Sequence, residues 1–184
     1  MTDEKRLYFL GLFPEIERIQ DADLREKVLL IWDDVLAESI WDKVEEVPKN
    51  PLFAGPNDTL LRHTQSVIRQ CIAVAEVVQA VYKRQVRMDI LIACAVLHDV
   101  CKLREYDRSG VSEFGSLMQH GVYSAVKGFE FGLPLDMCHI LLTHTKKCSV
   151  APRCIEGVIL HYVDYLDSDI TRMFAGKPLL LEKR

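Results

Sequence analysis

Eight consecutive apolar residues, Ile90-Leu91-Ile92-Ala93-Cys94-Ala95-Val96-Leu97, run straight into His98-Asp99, and Lys102 follows three residues later. A helix that is apolar on every side leaves no face for water, so this segment has to form the centre of a packed bundle. Burying a histidine beside a carboxylate at its end is costly unless something compensates them, and a bound cation is a strong compensator. The chain supplies further donors of the same chemistry in His63, His120, His144 and Asp164.

The rest of the chain supports a helical bundle. Periodicity is helical throughout, with no convincing period-2 strand. The expected fold is all-α: five core helices near residues 59–84, 88–103, 115–131, 135–147 and 152–170, preceded by one or two amphipathic helices in a segment of about 45 residues. The Pro-, Gly- and Asn-rich stretch Pro48–Asp58 is the clearest break. It divides an N-terminal helical extension (1–50) from a core domain (51–184). Phe13, Ile16, Val28, Ile31, Trp32 and Val35 give the extension an apolar face that packs on the core or forms a homodimer.

Composition narrows the class. A length of 184 residues suits about one domain, and the net charge of −4 argues against tight sequence-independent nucleic-acid binding, although a local basic patch still suits a phosphate. The N-terminus lacks the pattern of a signal peptide, and no apolar stretch approaches the roughly 18 residues that span a bilayer. A cytoplasmic protein with no membrane partner is expected. The six cysteines form no Cys-x-x-Cys pair and read as free thiols rather than disulfides or a zinc knuckle.

Helical phase brings the donors together. His63 shares a stripe with Leu60, Val67, Cys71, Val74 and Val78, and His144 shares one with Met137, Ile140 and Leu141. His120 lies three residues after Leu117 at the edge of an apolar face, beside the small residues Gly121 and Ser124, which leave room for a ligand. Asp164 follows Leu160 by one turn, and Lys102 lies on the same side of its helix as His98 and Asp99. Alone, each is an ordinary core or capping residue; four histidines and two aspartates converging from five helices point to a metal. Nitrogen and carboxylate donors suit iron, manganese, cobalt, nickel or zinc better than calcium. His139 and His161 point elsewhere and read as structural or supporting residues.

The motif H…HD…D, here His63, His98-Asp99 and Asp164, resembles that of the HD-domain superfamily of metal-dependent phosphohydrolases. Leu61–Val67 resembles the family's first helix, and Ala95-Val96-Leu97-His98-Asp99-Val100-Cys101-Lys102 its L-L-H-D-[IV]-G-K hallmark. Gln119-His120, Ile140–Thr145 and Leu160–Asp167 match further elements, and the nearest resemblance is to the HD domain of bacterial 3′-to-5′ exoribonucleases. Cys101 replaces the usual glycine, Thr145 stands where many relatives carry a second histidine, and no β-barrel nucleic-acid domain precedes the core.

The resemblance implies a metal-dependent phosphomonoesterase or phosphodiesterase with one or two divalent ions, iron or manganese first, with cobalt, nickel, zinc or magnesium as alternatives. His63, His98, Asp99 and Asp164 would hold one ion, and His120 and His144 a second, with Asp99 bridging and catalytic. Lys102 would act on the phosphate, with Arg104 and Lys146, then Lys147 and Arg153, as further phosphate-facing candidates. The partner is a small phosphorylated substrate such as a nucleotide or short oligonucleotide. The same ligand set also suits a diiron HD oxygenase. A non-catalytic HD-like signalling domain is a third reading, disfavoured because all six ligands are kept.

Overall fold

The computed structural model describes residues 1–51 and 58–180, so residues 52–57 of the Pro-rich break and residues 181–184 lie outside the described residues. Helices dominate: α1 (Asp3–Leu12), α2 (Ala22–Ala37), α3 (Leu60–Tyr82), α4 (Met88–Leu97), α5 (Lys102–Glu105), α6 (Glu113–Leu117), α7 (His120–Glu130), α8 (Leu135–Thr143) and α9 (Ile155–Phe174). Short 3₁₀ turns at Pro14–Arg18 and Val44–Glu46 flank α2.

α4 is the centre, as its composition requires. Every residue from Leu91 to Leu97 is buried, and α4 packs against α2, α3, α8 and α9. α3 lies along α9, and α7 pairs with α8 through a turn at Gly132, whose φ of +70° favours glycine. The N-terminal helices do not stand apart. Phe9, Phe13 and Trp32 are fully buried, and the Phe13 and Trp32 rings lie 4.9 Å apart. Each such side chain contributes about 1.5–3 kcal/mol of hydrophobic stabilisation. Of the two roles expected for this apolar face, it takes packing on the core. Trp41 Nε1 donates to the Tyr106 carbonyl at 3.2 Å, tying the N-terminal segment to the loop beside the histidine cluster.

Four expectations are corrected. The helix expected over 88–103 ends at Leu97: His98 Nδ1 takes the Ala95 carbonyl at 2.8 Å, the acceptor the next helical N–H would use. The chain then tightens into i→i−3 bonds, with Lys102 N to Asp99 O at 3.0 Å and Arg104 N to Cys101 O at 2.9 Å. The helix expected over 115–131 is broken between α6 and α7, and Leu117 is 82% exposed rather than part of an apolar face. Val74 is likewise partly exposed rather than core. Finally, a short antiparallel hairpin pairs Tyr106 with Val111 and Asp107 with Gly110, where no strand was expected. Two residues per strand are too few for alternation to show in the sequence. Among the described residues no helix is long and apolar enough to cross a membrane, and the six cysteines are free.

Candidate metal centre

The local fold aims four imidazoles and two carboxylates at one point. His98 and His144 sit at the C-terminal ends of α4 and α8, His120 opens α7, His63 lies in the first turn of α3, and Asp164 lies midway along α9. Helix C-termini carry partial negative charge, so the ends of α4 and α8 favour a cation at this point.

Two tautomers follow directly from the backbone. His98 Nδ1 lies 2.8 Å from Ala95 O, and His144 Nδ1 lies 2.6 Å from Leu141 O. A carbonyl only accepts, so each Nδ1 carries the proton and each Nε2 keeps its lone pair facing the cluster. His63 is set by a carboxylate instead: its Nδ1 lies 2.6 Å from Asp167 Oδ2. His63 Nε2 then lies 3.3 Å from His98 Nε2, 3.1 Å from Asp164 Oδ1 and 3.3 Å from Asp99 Oδ2.

Asp99 divides its two oxygens between two sets of donors. Oδ2 faces His63 and, at 3.5 Å, His98 Nε2; Oδ1 faces His144 Nε2 at 3.8 Å and His120 Nε2 at 4.0 Å. The donor atoms of His63, His98, Asp99 and Asp164 thus gather closely enough to hold one ion, and those of Asp99, His120 and His144 to hold another.

These residues fit divalent cations on two further grounds. His144 is fully buried and its Nε2 has no hydrogen-bond partner, an arrangement costly for a polar atom unless a ligand completes it. The charge around His63 points the same way. Burial alone would depress its pKa, but Asp164, Asp167 and Asp99 outweigh burial and raise it to about 10, the mark of an excess of negative charge that a cation compensates. His98, by contrast, is pushed down to about 4 by burial and stays neutral. Burial opposes ionisation of Asp99, but Lys102 and the histidines hold it well below the usual carboxylate range.

The candidate substrate residues separate. Lys102 is buried in the site, its Nζ 3.8 Å from Asp99 Oδ1, 3.5 Å from Glu105 Oε2 and 3.4 Å from Tyr106 Oη. Burial disfavours its charge, but Asp99 and Glu105 overcome that and raise its pKa well above the ordinary lysine value. Lys102, Lys146 and Lys147 line the cavity of about 230 Å³ over the cluster. Arg104 does not: its guanidinium pairs with Glu38 at 2.6 Å and stacks 4.4 Å over the Phe114 ring, holding α2 to the loop. Arg153 lines a different cavity, with Cys138 and His139. His161 Nδ1 lies 3.2 Å from the Thr143 carbonyl, outside the donor cluster.

Gly121 and Ser124 do not leave room for a ligand. A Cβ on Gly121 would lie 2.9 Å from Thr145 Cγ2 and 3.0 Å from the Leu142 carbonyl, so the glycine admits α8 instead. Ser124 Oγ donates to the His98 carbonyl at 2.9 Å. Four supporting residues escaped the sequence reading: Asp167, Ser66, Gln70 and Lys49. Ser66 Oγ and Gln70 Nε2 donate to Asp167 Oδ1, and Lys49 Nζ lies 3.3 Å from Oδ2. Helical phase held a signal for three of them. Asp167 is one turn past Asp164, Ser66 is one turn past His63, and Gln70 is one turn past Ser66.

The HD domain family model matches residues 60–169. The chain is 30% identical over 165 residues to the dihydroneopterin 2′,3′-cyclic phosphate phosphodiesterase of Methanocaldococcus jannaschii, covering 84% of this chain and 66% of that relative. The chain therefore spans just under two thirds of that relative's length. No solved structure matches. The relative's name is that of a cyclic phosphodiesterase, so the expected kinship with bacterial exoribonucleases gives way to this one.

Proposed function

The chain belongs to the HD domain family, and from that premise we propose that it is a divalent-metal-dependent phosphohydrolase that cleaves the phosphoester bond of a small molecule. The observation that carries this reading is the division of Asp99, with Oδ2 toward His63 and His98 and Oδ1 toward His144 and His120. A carboxylate placed in this way suits a bridge between two ions. In this reading His63, His98, Asp99 and Asp164 hold one cation, and Asp99, His120 and His144 hold the second. The nitrogen and oxygen donor set favours iron or manganese, with cobalt, nickel, zinc and magnesium as alternatives. When bound, such ions polarise the phosphoryl oxygen and lower the pKa of water.

The chain's own residues supply the rest. Lys102, kept charged between Asp99 and Glu105, meets the negative charge that grows on the phosphoryl group. Lys146 and Lys147 bind the phosphate at the cavity rim. Asp167 and the two backbone carbonyls hold the imidazoles in their liganding orientation. Residues 51–184 form the hydrolytic unit, and residues 1–50 buttress it through α2 and Trp41. The methanogen relative, named for a 2′,3′-cyclic phosphate substrate, supports a phosphodiester of a small molecule over a polynucleotide.

The deciding experiment combines metal analysis of protein purified without added metal with a panel of phosphomonoesters and cyclic phosphodiesters, run with and without oxygen. Hydrolysis by wild type that disappears in Asp99→Ala is expected. No hydrolysis with manganese, iron, cobalt, nickel or magnesium would overturn the reading, and turnover that requires oxygen would replace it with the oxygenase.

A further inference from the structure

Next to the metal centre lies a second, larger cavity of about 520 Å³. It shares Lys146, Tyr165 and Leu180 with the cavity over the metal cluster, so the two adjoin along these residues. Its other walls are chiefly apolar: Leu166, Ile170 and Met173 from the outer face of α9. The chain after α9 forms one side of it, through Leu179 and Leu180. Arg172 Nε donates to the Pro178 carbonyl at 2.6 Å and Leu180 N to Asp169 Oδ1 at 2.5 Å, folding residues 178–180 back along the helix. Leu166 and Met173, 51% and 65% exposed, would face water here unless a ligand covered them.

Two features suit a flat ring. The Tyr165 ring lies 5.0 Å from that of His161, while its hydroxyl accepts the Lys146 backbone N–H at 2.8 Å, which fixes its orientation. Lys146 Nζ lies 5.8 Å from the centre of the Tyr165 ring, on the wall common to both cavities. A ligand with a phosphate over the metals and an aromatic body against Tyr165 would therefore have a cation at the junction between its two parts.

We propose that this cavity is the subsite for a heteroaromatic ring, so that the substrate is a phosphoester carried on a planar base or comparable bicycle rather than a simple alkyl phosphate. The proposal deepens the phosphohydrolase reading and rests on it for the position of the phosphate. The subsite binds the ring by apolar contact and stacking, and the metal site acts on the ester.

The test pairs adenosine 2′,3′-cyclic phosphate with the base-free 1-O-methylribose 2′,3′-cyclic phosphate, using wild type and the exposed-wall variants Leu166→Asp and Met173→Asp. Wild type should prefer the base-bearing compound by about ten-fold or more in kcat/KM, within the range of base–aromatic stacking. Each variant should raise KM for it by about ten-fold, with kcat and the base-free reaction unchanged. Equal treatment of both compounds by wild type, or an equal loss for both in the variants, overturns the subsite and leaves the hydrolase intact. If neither compound is cleaved, the hydrolase reading fails only when the phosphomonoesters of the panel above are inert as well. The subsite is then judged by fluorescence binding of neopterin: binding to wild type that Leu166→Asp abolishes supports it, and no binding, or equal binding to both, refutes it.

Discussion

His63 and Asp167 meet at 2.6 Å, Nδ1 to Oδ2, deep between α3 and α9. This pair sets which nitrogen of His63 faces Asp99 and Asp164, and Asp167 is itself held by Ser66, Gln70 and Lys49. Asp167→Asn keeps the shape but weakens the acceptor. Metal affinity or activity should fall about 10–100-fold, as for other carboxylates that orient a liganding imidazole. Metal content and kcat/KM of the purified variant are the measurements, and wild-type values for both would refute the role.

Replacing Asp99 should act on both donor sets, whereas replacing His144 should act on one. Wild type is expected to bind two equivalents of manganese, His144→Ala one, and Asp99→Ala none. Elemental analysis after equilibrium dialysis reads the stoichiometry. A single equivalent in wild type would reduce the centre to one ion.

Lys102 lies against Asp99 without belonging to either donor set. Lys102→Met should lower kcat by about 10²–10³-fold, the range for losing one group that stabilises transition-state charge, while metal content stays near wild type. A loss of metal in step with the loss of rate would instead make Lys102 a structural residue.

Two glycines should resist alanine. A Cβ on Gly121 meets Thr145 and the Leu142 carbonyl, and one on Gly115 runs into the Glu105 backbone carbonyl. Overpacking costs about 1–3 kcal/mol, more than the roughly 1 kcal/mol alanine gains in helix propensity over glycine. Gly115→Ala should be the more damaging because backbone cannot swing aside as the Thr145 side chain can. Thermal or urea unfolding of both variants checks the order, and a stabilised Gly115→Ala would contradict it.

Arg87 and Glu156 tie the start of α4 to the start of α9 through bonds of 2.9 to 3.3 Å. Burial pushes the Glu156 carboxyl upward, but the Arg87 hydrogen bonds prevail and hold it below its ordinary value of 4.5. A carboxyl depressed in the folded state stabilises it above the unfolded pKa and loses that contribution as pH falls through the folded one. Glu156→Gln should therefore cost about 1 kcal/mol at pH 7, or 2–4 °C in Tm for a chain of this size. The deficit should shrink steadily below pH 4.5. A difference from wild type that is constant from pH 7 to about pH 3 would remove the ion pair from the explanation.

The donors were legible in the sequence because each sits on a regular helix or at its end. His63, His98, Asp99, His120, His144 and Asp164 followed from helical phase and from a motif resemblance spanning five elements. The central place of α4 followed from eight apolar residues that no solvent-facing helix tolerates. Arg104 looked equally suited to a phosphate, yet it pairs with Glu38, 66 residues away. Nothing in the local pattern marks that partner. The break after Leu97 was hidden for another reason: His98 takes the Ala95 carbonyl, a competition set by one side-chain torsion.

Taken alone, the amino-acid sequence determined the helical class, the central helix and the donor chemistry, because apolar periodicity and residue type are properties of neighbours along the chain. Only the tertiary structure decided how those donors divide. The Asp99 oxygens face two different histidine pairs, Lys102 is enclosed by Glu105 and Tyr106, and an apolar cavity adjoins the centre along α9. Each of these depends on where helices distant in sequence come to rest against one another. Packing of whole side-chain surfaces sets that position, and no local pattern encodes it.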